Sequence, residues 1–197
     1  MKFKLSDLVK GAWESVRDPR AGARQIMTIS MPLRYRWEAL FLIVVLSVLL
    51  TQITLVFTGQ SGGIIVGGPG LSAPITLGMM QLVMLVVMIF GIYLIGRRSG
   101  GTGSLGDTIL LVTWLQFILI CLQVLQTVAF LLVPVVGNLL GLAGFALFFW
   151  LLANFVAELH GFASPGRVFV SILIAMVGFA IFLSVLLSVL GVEVAGA

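Results

Sequence analysis

Charge is what this sequence has least of. Asp, Glu, Lys and Arg together make up 9% of its 197 residues, against about 25% in an ordinary soluble domain. With 60% hydrophobic residues and a mean hydropathy of +1.23, the chain cannot cover itself with a polar surface in water. That excludes a soluble enzyme, a nucleic-acid module and a disordered scaffold. Cysteine is nearly absent too. Cys121 stands alone in an apolar run, so no intramolecular disulfide framework exists. His160 is the single histidine, which excludes a His-rich metal site, and no HExxH spacing occurs. Nothing in the residue set asks for a cofactor.

What remains is long apolar runs. A membrane-spanning helix needs about 20 mostly apolar residues. Five stretches qualify, at about 39–57, 75–95, 108–133, 135–157 and 168–190, and none contains Lys, Arg, Asp or Glu. The third and fourth are parted only around Pro134 and Gly137. One helix through both would be about twice the bilayer thickness, so the spacing predicts a tight helical hairpin. The fold class is therefore an all-α integral membrane protein: five transmembrane helices preceded by one or two amphipathic interfacial helices. It divides into a basic N-terminal segment, 1–38, and a membrane domain, 39–197. The basic segment lacks the short apolar core and small-residue cleavage site of a removable leader, so the first span is expected to persist.

The few charges are sorted by side. Eight of the eleven Lys and Arg residues precede the first span, Arg97 and Arg98 follow the second, and Arg167 follows the fourth. The opposite side carries none. The positive-inside rule then puts the N-terminus in the cytoplasm and the C-terminus outside, in the periplasm if the membrane is a cell inner membrane. The basic pI of about 9.8 thus reflects topology and not nucleic-acid binding.

Leu5, Leu8, Val9, Ala12, Trp13 and Val16 fall on one stripe of an α-helix. Asp18-Pro19 ends that helix and can cap and open a second, basic piece, Arg20–Ile29. Two readings stay open. The stripe lies on the membrane surface, with Trp13 at headgroup level and Lys4, Lys10, Arg17, Arg20 and Arg24 near anionic lipid; or it packs on the ends of the bundle. The Gly-rich stretch at 58–74 carries the apolar Ile64-Ile65-Val66. It has no phosphate-binding fingerprint.

Within the spans, polar residues are the candidates for function. Thr113, Gln116, Gln123 and Thr127 lie within about 80° of one another on a helical wheel. They either bond to neighbouring helices or line a polar path. In the fourth span Gly137 and Gly141 form a GxxxG pair, with Gly144 behind, a pattern that lets helices approach closely. At its other end Asn154 and Glu158 share a face, followed by His160. Gln116, Gln123, Asn154, Glu158 and His160 form the candidate polar cluster. Glu158 is expected to pair with Arg97, Arg98 or Arg167, or with a loop N–H, unless it is a solvated helix end or faces a water-filled cavity. Asp107 is expected to cap the third span. Met79, Met80, Met84 and Met88 read as adaptable packing residues.

Three short stretches carry a resemblance: Asp18-Pro19-Arg20, the run Gly96-Arg97-Arg98-Ser99-Gly100-Gly101-Thr102-Gly103-Ser104, and Glu158-Leu159-His160-Gly161-Phe162-Ala163-Ser164. With five spans, the chain resembles the bacterial branch of the Yip (Ypt-interacting protein) domain family. The resemblance implies a cytoplasmic N-terminus, an external C-terminus and no catalytic residues. Eukaryotic members bind prenylated Rab-type GTPases. This sequence lacks their Asp-Leu-Tyr-Gly-Pro and Gly-Tyr-Gly stretches, so GTPase binding is not carried over. The resulting expectation is a non-enzymatic inner-membrane protein whose partners are membrane lipids or other membrane proteins. The alternative is a small channel or transporter using the polar residues of the third and fourth spans.

Overall fold

The computed structural model describes residues 4–58 and 73–189, and every regular element among them is helical. The Ile64-Ile65-Val66 segment, Lys2 and the tail after 189 lie outside the described residues. Two short helices, α1 (Leu5–Arg17) and α2 (Pro19–Met27), precede five long ones: α3 (Leu33–Thr58), α4 (Ala73–Arg98), α5 (Leu105–Leu132), α6 (Pro134–His160) and α7 (Pro165–Val189). All five long helices are apolar and long enough to cross a membrane. The protein is an all-helical, multi-pass membrane protein.

The helix boundaries follow local chemistry. Asp18 stops α1 and starts α2, its side chain accepting a hydrogen bond from Ala21 N at 3.0 Å, with Pro19 in the first turn. α3 begins at Leu33, earlier than the apolar run alone implies, because a charged first turn can sit beyond the hydrocarbon. Arg34 and Glu38 pair there at 2.8 Å. The cap of α5 is Ser104, not Asp107. Ser104 Oγ accepts from Asp107 N at 3.1 Å and donates to Asp107 Oδ2 at 2.6 Å. Asp107 is then free to hold Arg36, 2.7 Å away. Val133 alone separates α5 from α6, and Pro134 opens α6, so the predicted hairpin is present. Gly161 ends α6 with a left-handed φ of 73°, and Phe162 N reaches back to Ala157 O at 2.7 Å.

α5 is the central helix, packed against α1, α2, α3, α4 and α6, while α7 leans on α6. Three residues of α6 take the close approach the GxxxG pattern implies. Gly137 faces Phe130, Gly141 faces Gln126 and Gly144 faces Leu122, at positions where an added Cβ would crowd α5. Two apolar clusters form the core. One joins α1, α2, α5 and α6 around Trp114, Leu115, Leu151 and Phe155. The other joins α3, α4 and α5 around Leu40, Ile89 and Ile109. Met88 and Ile92 touch both. Met79, Met80 and Met84 are exposed on the outer surface of α4, where apolar side chains meet lipid in a membrane-spanning helix.

Candidate functional site

The site is the end of the bundle where the described charges gather, built where α1 and α2 fold back onto α5, α6 and the α6–α7 turn. It begins with small residues. Gly11, Ala12 and Ser15 form the inner face of α1, and the indole of Trp114 lies 3.5 Å from where a Cβ on Gly11 would stand. Trp114 Nε1 donates to Ser15 Oγ at 3.0 Å, and Ser15 Oγ donates to Gly11 O at 2.8 Å. This buried tie satisfies the indole N–H, which would otherwise be stranded among apolar groups. Gly22 of α2 sits directly on Ser15, leaving no space for a side chain there. The tie joins α1 to the third span, and the sequence reading did not find it. Its signal was Ser15 next to Leu8 at the edge of the apolar stripe.

α2 is pinned by Arg20 and Arg24. Arg24 Nη1 donates to Glu158 Oε1 at 3.0 Å. Arg20 Nη2 donates to Phe162 O at 2.9 Å and Ala163 O at 3.1 Å, clasping the α6–α7 turn. Arg20 Nε lies 3.9 Å from Glu158 Oε2, beyond hydrogen-bond range, and this buried donor has no other partner. The expected pairing of Glu158 is present, but its partners are corrected. They come from α2, not from Arg97, Arg98 or Arg167, because the α1–α2 fold-back brings α2 over the end of α6. Arg97, Arg98 and Arg167 are exposed.

His160 is buried and ties two turns together. Gly103 N donates to its Nδ1 at 3.3 Å, and its Nε2 lies 3.2 Å from Ile92 O. Both bonds form together only in the neutral imidazole with its proton on Nε2. The ring stacks on Phe162, with centroids 5.6 Å apart. Gly96, Gly101 and Gly103 surround it so closely that a Cβ on any of the three would collide with the ring. None of the three has a positive φ, so they are there to make room and not to turn the chain.

The other candidate residues lie elsewhere. Gln123 Nε2 donates to Thr51 Oγ1 of α3 at 3.2 Å, and Thr127 bonds Thr54 of α3 at 3.0 Å. Gln116 is half-buried on the same face of α5. Asn154 Nδ2 donates to Trp150 O of its own helix at 2.8 Å. The five polar candidates therefore do not converge on one site: Gln116 and Gln123 lie along one face of α5, Asn154 bonds within α6, and Glu158 and His160 hold different neighbours at the charged end. A cavity of about 10 Å³, the room one water needs, lies between α4, α5 and α6 and is lined by Ile92, Leu111, Leu115 and other mostly apolar residues. None of the five candidates lines it. Among the described residues no group of three or more His, Cys, Asp or Glu side chains could hold a metal ion.

At the surface, Trp13 is exposed with the Arg17 guanidinium 5.1 Å above its ring. Lys10 pairs loosely with Glu14 at 3.9 Å, and Lys4 is exposed ahead of α1.

These features define a multi-pass α-helical membrane protein with a two-helix cap at its basic end. A family model described as the Yip1 domain matches residues 13–186, and the chain belongs to that family. The match takes in both α2 and the two turns that His160 and Arg20 tie together. No curated protein and no solved structure matches the chain.

Proposed function

We propose that this protein is a non-enzymatic organiser of lipids or partner proteins at the cytoplasmic face of a bacterial inner membrane, with α1 and α2 as its working surface. The orientation rests on charge. Every Lys and Arg among the described residues lies at the end that carries α1 and α2, as the positive-inside rule requires of a cytoplasmic side.

The observation that carries the reading is how α1 divides its apolar stripe. Leu8, Ala12 and Val16 pack into the bundle. Leu5, Val9 and Trp13 are 71%, 48% and 58% exposed. At 100° per residue the exposed row stands about 60° from the buried one, and Asp7 and Glu14 stand about 150° from the exposed row. A helix with one side on protein, the adjacent side apolar and its acids turned away is shaped for the boundary of a bilayer. Lys10 and Arg17 fall beside the apolar row, at the level of headgroups.

The test uses the whole protein in vesicles, with Cys121→Ala and an environment-sensitive label on Val9→Cys or Asp7→Cys. The label at 9 is expected to report hydrocarbon and the label at 7 water. Water at both positions would leave α1 as a packing element alone.

A further inference from the structure

We propose that Arg24 and Arg167 form a binding site for a phosphate-bearing anionic lipid headgroup, at the corner where α2 crosses the α6–α7 turn. The inference deepens the reading above by naming the lipid chemistry and the residues that take it.

The corner has more positive charge than it uses. Two guanidinium groups, Arg20 and Arg24, share the one carboxylate of Glu158. The two arginines are not held alike. Arg20 is two-thirds buried and clasps two carbonyls of the turn. Arg24 is 57% exposed and makes one hydrogen bond, through Nη1, so the rest of its fork faces outward. Arg167 stands four residues past Ala163, the residue whose carbonyl Arg20 holds, and opens the first turn of α7. Its side chain is exposed and has no ion pair among the described residues. Three of the neighbouring backbone N–H groups are already taken. Arg167 N is taken by Ser164 Oγ at 3.4 Å, and Gly161 and Phe162 N bond within the end of α6.

An incoming phosphate completes this arrangement. A guanidinium fork matches phosphate oxygens with two parallel hydrogen bonds. Arg24 can turn outward to such a group while Arg167 closes from the other side. Glu158 is then left to Arg20 alone. Its carboxylate needs to move by less than about 1 Å to bring Oε2 within hydrogen-bond range of Arg20 Nε, the buried donor that has no acceptor in its present position. Exchange of one partner for another thus satisfies every charged group at the corner. The corner lies at the ends of α6 and α7, where headgroups meet a span, so the phosphate of a lipid reaches it without leaving the bilayer.

The experiment is native mass spectrometry of the full-length detergent-solubilised protein, with phosphatidylglycerol and phosphatidylcholine of identical acyl chains. The wild type is expected to retain phosphatidylglycerol preferentially. Arg24→Gln and Arg167→Gln should each lower that occupancy roughly fivefold, the scale of one basic residue at an anionic surface. Arg167 has no ion pair to lose, so its variant tests binding without weakening the fold. Arg34→Gln removes an equal charge from the same end and should change occupancy little. Equal losses in Arg34→Gln and Arg167→Gln would overturn the site in favour of diffuse attraction. If inorganic phosphate at the same concentration displaces the lipid, the ligand is a soluble anion and the lipid assignment is overturned. If selectivity survives Arg24→Gln and Arg167→Gln but falls with Trp13→Ser, the corner fails while the reading of α1 stands. If the wild type shows no preference for the anionic lipid, the corner fails, and the labels on α1 still judge the broader reading.

Discussion

The two halves of the α5–α6 hairpin are made of the same two helices and are held together by different forces. In the half that carries the charges, Thr108, Ile109, Leu110, Leu111, Val112, Trp114 and Leu115 of α5 are all buried, as is every residue of α6 from Leu151 to Ala157 except Asn154. In the other half, Val124, Leu125, Val128 and Leu132 of α5 and Val135, Leu139 and Leu142 of α6 are all exposed. Composition does not separate them, since both halves are apolar. What separates them is the cover. At the charged end α1, α2 and the two turns wrap the hairpin in a place that borders water, and burial there gains from the hydrophobic effect. Toward the far end lipid is as good a neighbour for Leu as another helix, so association rests on close backbone approach and on polar bonds. Gly137 and Gly141 supply the first within the hairpin, and Thr51–Gln123 and Thr54–Thr127 supply the second by tying α5 to α3.

The contrast predicts where substitution hurts most. His160→Leu should be the most damaging single change. It removes both hydrogen bonds of the ring, strands Gly103 N–H, and takes the second donor from Ile92 C=O, which keeps its helical bond. At about 1–3 kcal/mol for a stranded buried group, and with the second bond lost as well, the loss should be about 3 kcal/mol. Thermal unfolding of the purified protein would show it. A change of under about 0.5 kcal/mol, the range of ordinary surface substitutions, would mean that the turns stay together without the ring.

Glu158→Leu comes next. It leaves the guanidinium of Arg20 half-enclosed without its carboxylate. Removing one partner of a fully buried pair costs about 3–5 kcal/mol, and the solvent access of Arg24 lowers the expectation here to about 2 kcal/mol. Glu158→Gln keeps the hydrogen bond and should cost about half as much. Because this pair pins α2, both variants should also expose the peptide bonds of α2 to protease in native detergent solution. Loss of stability without new cleavage would separate the pair from the docking of α2.

The charged end is also where sequence reading and structure part company. The five spans, the α5–α6 hairpin, the Asp18-Pro19 junction and the glycine face of α6 were legible, because each follows from a local rule: run length, a cap, or a small residue every fourth position. The stripe of α1 was legible as a stripe. Its division into a buried row and an exposed row was not, since periodicity says which residues share a face and not what that face meets. The partner of Glu158 was misread for a related reason. Arg97, Arg98 and Arg167 flank the membrane spans in sequence, whereas Arg20 and Arg24 reach Glu158 only because α2 folds back. His160 was noticed for its chemistry, yet its role lay in Gly96, Gly101 and Gly103. Three glycines near one turn, none needed for a positive φ, signal a bulky group seated among them.

The smallest effect is expected in the far half, and it sharpens the comparison most. Gln123→Leu removes the hydrogen bond to Thr51 but keeps the size and apolar stem of the side chain. Interhelical hydrogen bonds inside membranes are worth about 0.6 kcal/mol, because the separated helices find other partners for the same groups. Thr51→Val removes the other side of the bond. The two single variants and the double variant form a cycle that isolates the pair. A coupling near 0.6 kcal/mol would make the polar stripe of α5 a set of modest helix-to-helix ties, interchangeable with good apolar packing. A coupling above about 2 kcal/mol would exceed what such bonds supply in lipid, and would mean that the far half is held as firmly as the capped one. If instead Gln123→Leu left stability untouched and abolished passage of a polar solute through reconstituted vesicles, the stripe would be a path and not a set of ties. The bonds that Gln123 and Thr127 make to α3 argue for the first outcome.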